Sequence, residues 1–183
     1  ITPDVQRRDG SLLEIPMAEL AGLIDGNDGT NSLVELVEQY EDWVSSKKTE
    51  VADLAPEYQA AAERNIQECM RCVNRMKNGI TYLRSNPTAL KAFQLANYAV
   101  LLQQIRSRRE PRHINFDPKS GRLTFSQPYE EVDLSHMPAG RGKWRAFQVA
   151  FLLMAIESTA EGRSPERGTV ELIWFPTGGG KTE

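Results

Sequence analysis

The run Pro176-Thr177-Gly178-Gly179-Gly180-Lys181-Thr182 combines the residue types that can hold a triphosphate tail. Three consecutive glycines let the backbone curl closely enough for successive N–H groups to point into one concavity. Lys181 supplies a cation for the β- and γ-phosphates, and the Thr182 hydroxyl is placed to complete a Mg²⁺ site. These two residues are the candidate catalytic pair, and Glu183 follows them directly. Ahead of the loop, Val170-Glu171-Leu172-Ile173-Trp174-Phe175 reads as a buried strand. The order strand, glycine-rich turn, Gly-Lys-Thr is the one a phosphate-binding loop requires, with a helix after it aimed at the same charge. One position departs from the general pattern, which asks for glycine where Phe175 stands. The alternative is a glycine-rich turn that binds nothing, and the preceding strand decides against it.

A second candidate lies upstream in Arg145-Ala146-Phe147-Gln148, at the start of an apolar helix. A carboxamide donates and accepts at once, which matches the adjacent donor and acceptor of an adenine edge. The competing reading is a helix-start glutamine facing solvent. With the loop nearby, Gln148 is expected to contact adenine. The cofactor-binding set is then Gln148 together with Pro176, Thr177, Gly178, Gly179, Gly180, Lys181, Thr182 and Glu183, and the cofactors are ATP and Mg²⁺.

Other chemistry-bearing residues point to structure. Cys69 and Cys72 form a Cys-x-x-Cys, but zinc needs about four ligands and no second pair exists. Cys69 falls on a helix seam, where a thiol packs as a small hydrophobe. Arg106, Arg108, Arg109, Arg112 and His113 cluster where a helix ends, an electrostatically favourable place for cations, with contact to a DNA backbone as the alternative. Arg141, Lys143 and Arg145 form a second basic group that suits nucleic acid, nucleotide phosphate or solvent. Trp43, Trp144 and Trp174 are too dispersed for a base-stacking platform and are expected in the core.

The elements that must position these groups are mostly helical. Residues 1–31 suggest short elements and loops. Ser32 and Glu35 have capping-box spacing at the start of a helix whose Leu33, Leu36, Val37, Tyr40, Trp43 and Val44 share a face. Pro56 suits the first turn of the next helix. There Ala62, Ile66, Cys69, Val73, Met76, Ile80 and Leu83 step alternately by four and three, a coiled-coil-like seam that Gly79 is expected to interrupt. Asn86-Pro87 caps a third helix running to about Arg108, apolar on most sides of its middle and therefore expected to be the most buried. Ile114–Phe116 and Leu123–Phe125 read as a hairpin around Asp117-Pro118-Lys119-Ser120-Gly121. Residues 127–142 read as loop, followed by a helix over about 143–157.

Of 183 residues, 40% are hydrophobic and 26% charged, a balance that supports a buried core. The net charge of −3 rules out a uniformly basic nucleic-acid surface, so any such contact must be local. Residues 1–10 lack the apolar segment of a secretory signal, and the longest apolar run, 149–156, is too short to cross a bilayer. No membrane association and a cytoplasmic location are expected. The chain opens on Ile1 and stops at Glu183 beside the loop, which suggests a segment of a longer polypeptide.

The Pro-Thr-Gly-x-Gly-Lys-Thr core is similar to that of superfamily 2 helicases. Trp144-Arg145-x-Phe147-Gln148 followed by Leu172-Ile173-Trp174-Phe175-Pro176-Thr177-Gly178-Gly179-Gly180-Lys181-Thr182-Glu183 resembles, more narrowly, the DrmA family of DISARM anti-phage systems. Phe175-Pro176 and Glu183 are part of that likeness, which covers about the last quarter of the chain. The resemblance implies an ATP-dependent DNA helicase or translocase working with a DrmB-like partner subunit. Its acidic Walker B pair, arginine fingers and second RecA domain would follow Glu183. The expected fold is mainly α with a small α/β part. A helical N-terminal domain (1–109) is followed by a hairpin and loop connector (110–142). The first helix, strand and phosphate loop of a RecA-like domain (143–183) complete it. The rival readings are a non-enzymatic helical scaffold of a larger complex and a restriction-system translocase.

Overall fold

Pro56 sits at the first position of a 30-residue helix, where its missing N–H costs nothing. Around that helix the computed structural model describes residues 5–7, 9–24, 26, 28–106, 112–127, 133, 140–170 and 172. In chain order the elements are β1 (Ile15–Pro16), α1 (Met17–Leu20), α2 (Asn31–Glu50), α3 (Pro56–Ser85), α4 (Pro87–Arg106), β2 (Ile114–Asp117), β3 (Arg122–Phe125), β4 (Lys143–Trp144) and α5 (Ala146–Ala160). Short 3₁₀ turns span Val51–Asp53 and Pro165–Gly168. The described chain is mostly helical, as expected.

The core gathers where α2, α3 and α5 meet. The seam on α3 is buried at Val73, Met76, Ile80 and Leu83, which face Leu33, Leu36, Val37 and Val44 of α2 and Val149 and Leu153 of α5. Fully burying side chains of this size contributes roughly 1.5–3 kcal/mol each. Cys69 packs against this core as a partly buried group, in keeping with its seam position.

Several boundaries differ from the sequence expectation, each for a tertiary reason. Helix α2 begins at Asn31, and Thr30 at its N-cap makes no side-chain cap. The orphan amide of Ser32 instead donates to Glu19 Oε1 from α1 at 2.9 Å, while Glu35 is taken by Arg7. A carboxylate supplied from another element has replaced the capping box. Gly79 does not interrupt α3, which runs unbroken to Ser85. The residue is buried because the backbone of α5 crosses there.

Asn86 caps α4 as expected, its Oδ1 accepting from Ala89 N at 3.0 Å. That helix is not the most buried, however. Only Phe93, Asn97 and Leu101 are enclosed, whereas Leu95 is 54% exposed. Its main neighbour is the four-residue α1 rather than the helical core, so one face stays open. Trp43 is also out of the core, half exposed and stacked on Tyr40.

The hairpin expectation holds. Strands β2 and β3 pair antiparallel with Ile114 opposite Phe125 and Phe116 opposite Leu123. Asp117 builds the turn, its carboxylate accepting from Lys119 N at 2.9 Å and Ser120 Oγ at 2.6 Å. These bonds to the ionised form lower its pKa.

Candidate functional site

Lys143 and Trp144 were expected inside a helix, yet they form a strand. Ile15 pairs with Trp144 and Pro16 with Lys143, so β1 fixes the chain just before α5 begins. Gly142, with φ of +71°, makes the bend that allows this approach. Its carbonyl accepts from Met17 N at 2.8 Å, and its N–H donates to Gln104 Oε1 at 2.9 Å. One buried glycine thereby ties α1, α4 and β4 together. Trp144 is locked from the other side, its Nε1 donating to Oδ1 of buried Asn97 at 2.7 Å. Asn97 Nδ2 in turn donates to the Phe93 carbonyl at 2.8 Å.

These contacts aim the start of α5 at a cleft of about 560 Å³ between that turn and α4. Val100, Gln103 and Gln104 form one wall, while Gly140, Arg141, Lys143, Trp144 and Arg145 form the other. The second basic group of the sequence is therefore assembled on one cleft. Two of its members are already held: Arg141 Nη1 donates to the Gln104 carbonyl, and Lys143 Nζ donates to Glu14 Oε1, both at 2.5 Å.

Gln148 stands at the third position of α5, buried rather than facing solvent. Its Oε1 accepts the backbone N–H of Arg145 at 3.0 Å, satisfying a donor that the helix start would otherwise leave open. The carboxamide thus has a structural task in the first turn. An acceptor oxygen has two lone pairs, so this bond leaves acceptor capacity for a second donor.

The remainder of α5 is positioned by α3. The backbones meet at Gly79 and Leu153, and Arg75 Nη2 donates to the Met154 carbonyl at 3.0 Å. Arg71 and Glu166 bring the following 3₁₀ turn to the same helix, 3.7 Å apart. The helix placed by sequence in a RecA-like opening packs directly on the helical bundle.

Beyond this turn the expected strand is described only at Val170 and Leu172. They are 93% and 84% exposed rather than buried. A strand of that kind is enclosed only when neighbouring strands and helices cover both faces, and none does so among the described residues. Pro176, Thr177, Gly178, Gly179, Gly180, Lys181, Thr182 and Glu183 lie outside the described residues, as does Trp174.

Of the first basic cluster, Arg106 is exposed at the end of α4, and Arg108 and Arg109 lie outside the described residues. Arg112 lies over the Phe125 ring, 4.3 Å from its centroid. Among the described residues no group of three or more His, Cys, Asp or Glu side chains could hold a metal ion. No helix among them is long and apolar enough to cross a membrane.

The sequence singled out Gln148 and the basic group by type but not the contacts that hold them. Asn97, a polar residue in the apolar middle of α4, was the available signal for a buried partner. Nothing local announced the close approach at Gly79.

No family model matches the chain. The relative found is a DISARM protein. It is DISARM protein DrmA of Bacillus paralicheniformis (strain ATCC 9945a / NCIMB 11709 / CD-2), 30% identical over 161 residues. The match takes in 87% of this chain, far more than its last quarter alone. It spans about 13% of that relative's length.

Proposed function

We propose that this chain is the N-terminal part of a DISARM-type ATP-dependent DNA helicase or translocase and acts in defence against phage. The observation that carries the reading is the co-occurrence of two features. One is the sequence pattern in which the mostly apolar run 170–175 leads into Pro176–Thr182 with its Gly-Lys-Thr end, and the other is DrmA likeness over 161 residues. The cleft at the start of α5 is in keeping with it, because Arg141, Lys143 and Arg145 line it on a turn held by contacts that reach α1 and α4.

In this reading Lys181 neutralises the β- and γ-phosphates of ATP, Thr182 ligates Mg²⁺, and backbone amides of residues 176–180 cradle the phosphates. Gln148 recognises the adenine edge while keeping its bond to Arg145 N–H. Nucleotide held more tightly by a closed arrangement of two motor domains would turn binding and hydrolysis into movement on DNA. A DrmB-like subunit is the proposed partner.

Steady-state ATP turnover by the full-length protein, with and without single- and double-stranded DNA, tests this function. DNA-stimulated turnover is expected. Its absence, with stable assembly onto a partner retained, would favour the helical scaffold instead. The exposed faces of α4 and of Trp43 are the observation that keeps that second reading in view.

A further inference from the structure

The β2–β3 hairpin has an apolar face that no described element covers. Ile114, Phe116, Leu123 and Phe125 are 61%, 62%, 63% and 47% exposed, and every residue of both strands is open to solvent. The register places these four on one face, since Ile114 pairs with Phe125 and Phe116 with Leu123. An isolated two-stranded hairpin is marginal in water, so such a face calls for an occupant.

Charge selects among occupants. Across residues 112–127 there are three cations, Arg112, Lys119 and Arg122, against the single carboxylate Asp117. That leaves +2 with His113 neutral, in a chain whose net charge is −3. Asp117 is turned inward on the Lys119 and Ser120 donors of the turn, so its charge is partly spent locally. The hairpin is a positive, aromatic projection on an otherwise acidic chain, which fits a polyanion with flat apolar groups.

The geometry points to single-stranded nucleic acid as that occupant. Phe116 and Phe125 sit on adjacent strands as diagonal neighbours, about 7–8 Å apart by strand geometry. Aromatic rings so placed on a sheet each take one unstacked base. Arg112, already over the Phe125 ring, extends that platform with a guanidinium plane. Lys119 at the exposed turn and Arg122 on the opposite face attract the phosphates. No base-edge reader lies on the apolar face, so binding is indifferent to sequence.

The test uses the full-length protein, a labelled oligothymidine as probe, and ultraviolet zero-length crosslinking. Crosslinks are expected on the peptide containing Phe116 or Phe125. Phe116→Ala and Phe125→Ala should each weaken binding about tenfold, with Phe116→Trp retaining it. Lys119→Glu, at an exposed turn position where the substitution keeps the backbone bond to Asp117, should weaken binding and flatten its salt dependence. Crosslinks confined to other regions, or unchanged affinity in the double alanine and Lys119→Glu variants, overturn the proposal. So does aggregation or loss of a partner on alanine substitution while Lys119→Glu binds normally, because a protein surface then covers the face. Lys181→Ala should keep the hairpin crosslinks, which separates this site from the motor assignment.

Discussion

The backbone of α3 at Gly79 meets that of α5 at Leu153 so closely that a Cβ built on Gly79 would stand 2.1 Å from the Leu153 carbonyl oxygen. Backbone, not a flexible side chain, occupies the space. The contact sets the depth at which α5 lies in the core, and α5 begins with the turn that carries Arg145 and Gln148. A glycine buried in the α3 seam therefore governs the placement of a helix start more than sixty residues away in sequence.

Gly79→Ala is expected to destabilise the protein despite the better helix propensity of alanine. Propensity gains about 1 kcal/mol, whereas forcing a methyl group into packed backbone costs about 1–3 kcal/mol or more and must shift α5. Chemical denaturation of wild type and variant reads the difference. Equal or greater stability in the variant would show that the two helices are not held at this distance.

Substitutions can separate the bond Gln148 makes to Arg145 N–H from the adenine contact proposed for it. In Gln148→Glu the carboxylate still accepts from Arg145 N–H, so helix stability should hold. In Gln148→Ala that bond is lost, at about 1 kcal/mol. A carboxylate cannot donate to adenine, so both variants should raise the KM for ATP in the full-length protein. An unchanged KM in Gln148→Glu would assign the residue to capping alone.

Tyr40 gives a pH dependence with a definite sign. Burial, followed by its hydrogen bond with Cys69 and the nearby Cys69 and Cys72 thiols, raises its phenol pKa well above the ordinary value near 10. Unfolded chains ionise this group near 10 and folded ones do not. Its contribution is complete below that value and declines as pH rises through the window above it. Urea unfolding across about pH 9 to about pH 11.5 should show stability falling more steeply in wild type than in Tyr40→Phe. Matching slopes would mean that the phenol is as readily ionised folded as unfolded.

What the sequence disclosed was local. Pro56, Asn86-Pro87, the alternating steps of α3 and the Asp117–Gly121 turn carry their signals within a few residues, and each appears in the structure as read. What it concealed depends on remote partners. Glu19 displaced the expected cap of α2, and the crossing of α5 explains Gly79. Pairing with β1 turned Lys143–Trp144 into a strand, and the Asn97 bond to Trp144 joins two segments 47 residues apart. The basic residues near Gln148 were legible as types. Their assembly on a single cleft needed α4 and α1 in place.

In the proposed DNA motor, a lysine in a glycine-rich turn grips the phosphates of ATP. Lys181→Ala in the full-length protein measures it most directly, by steady-state ATP turnover with circular dichroism as the control for folding. Turnover lost from a folded protein is the predicted result, and turnover at the wild-type rate would contradict it.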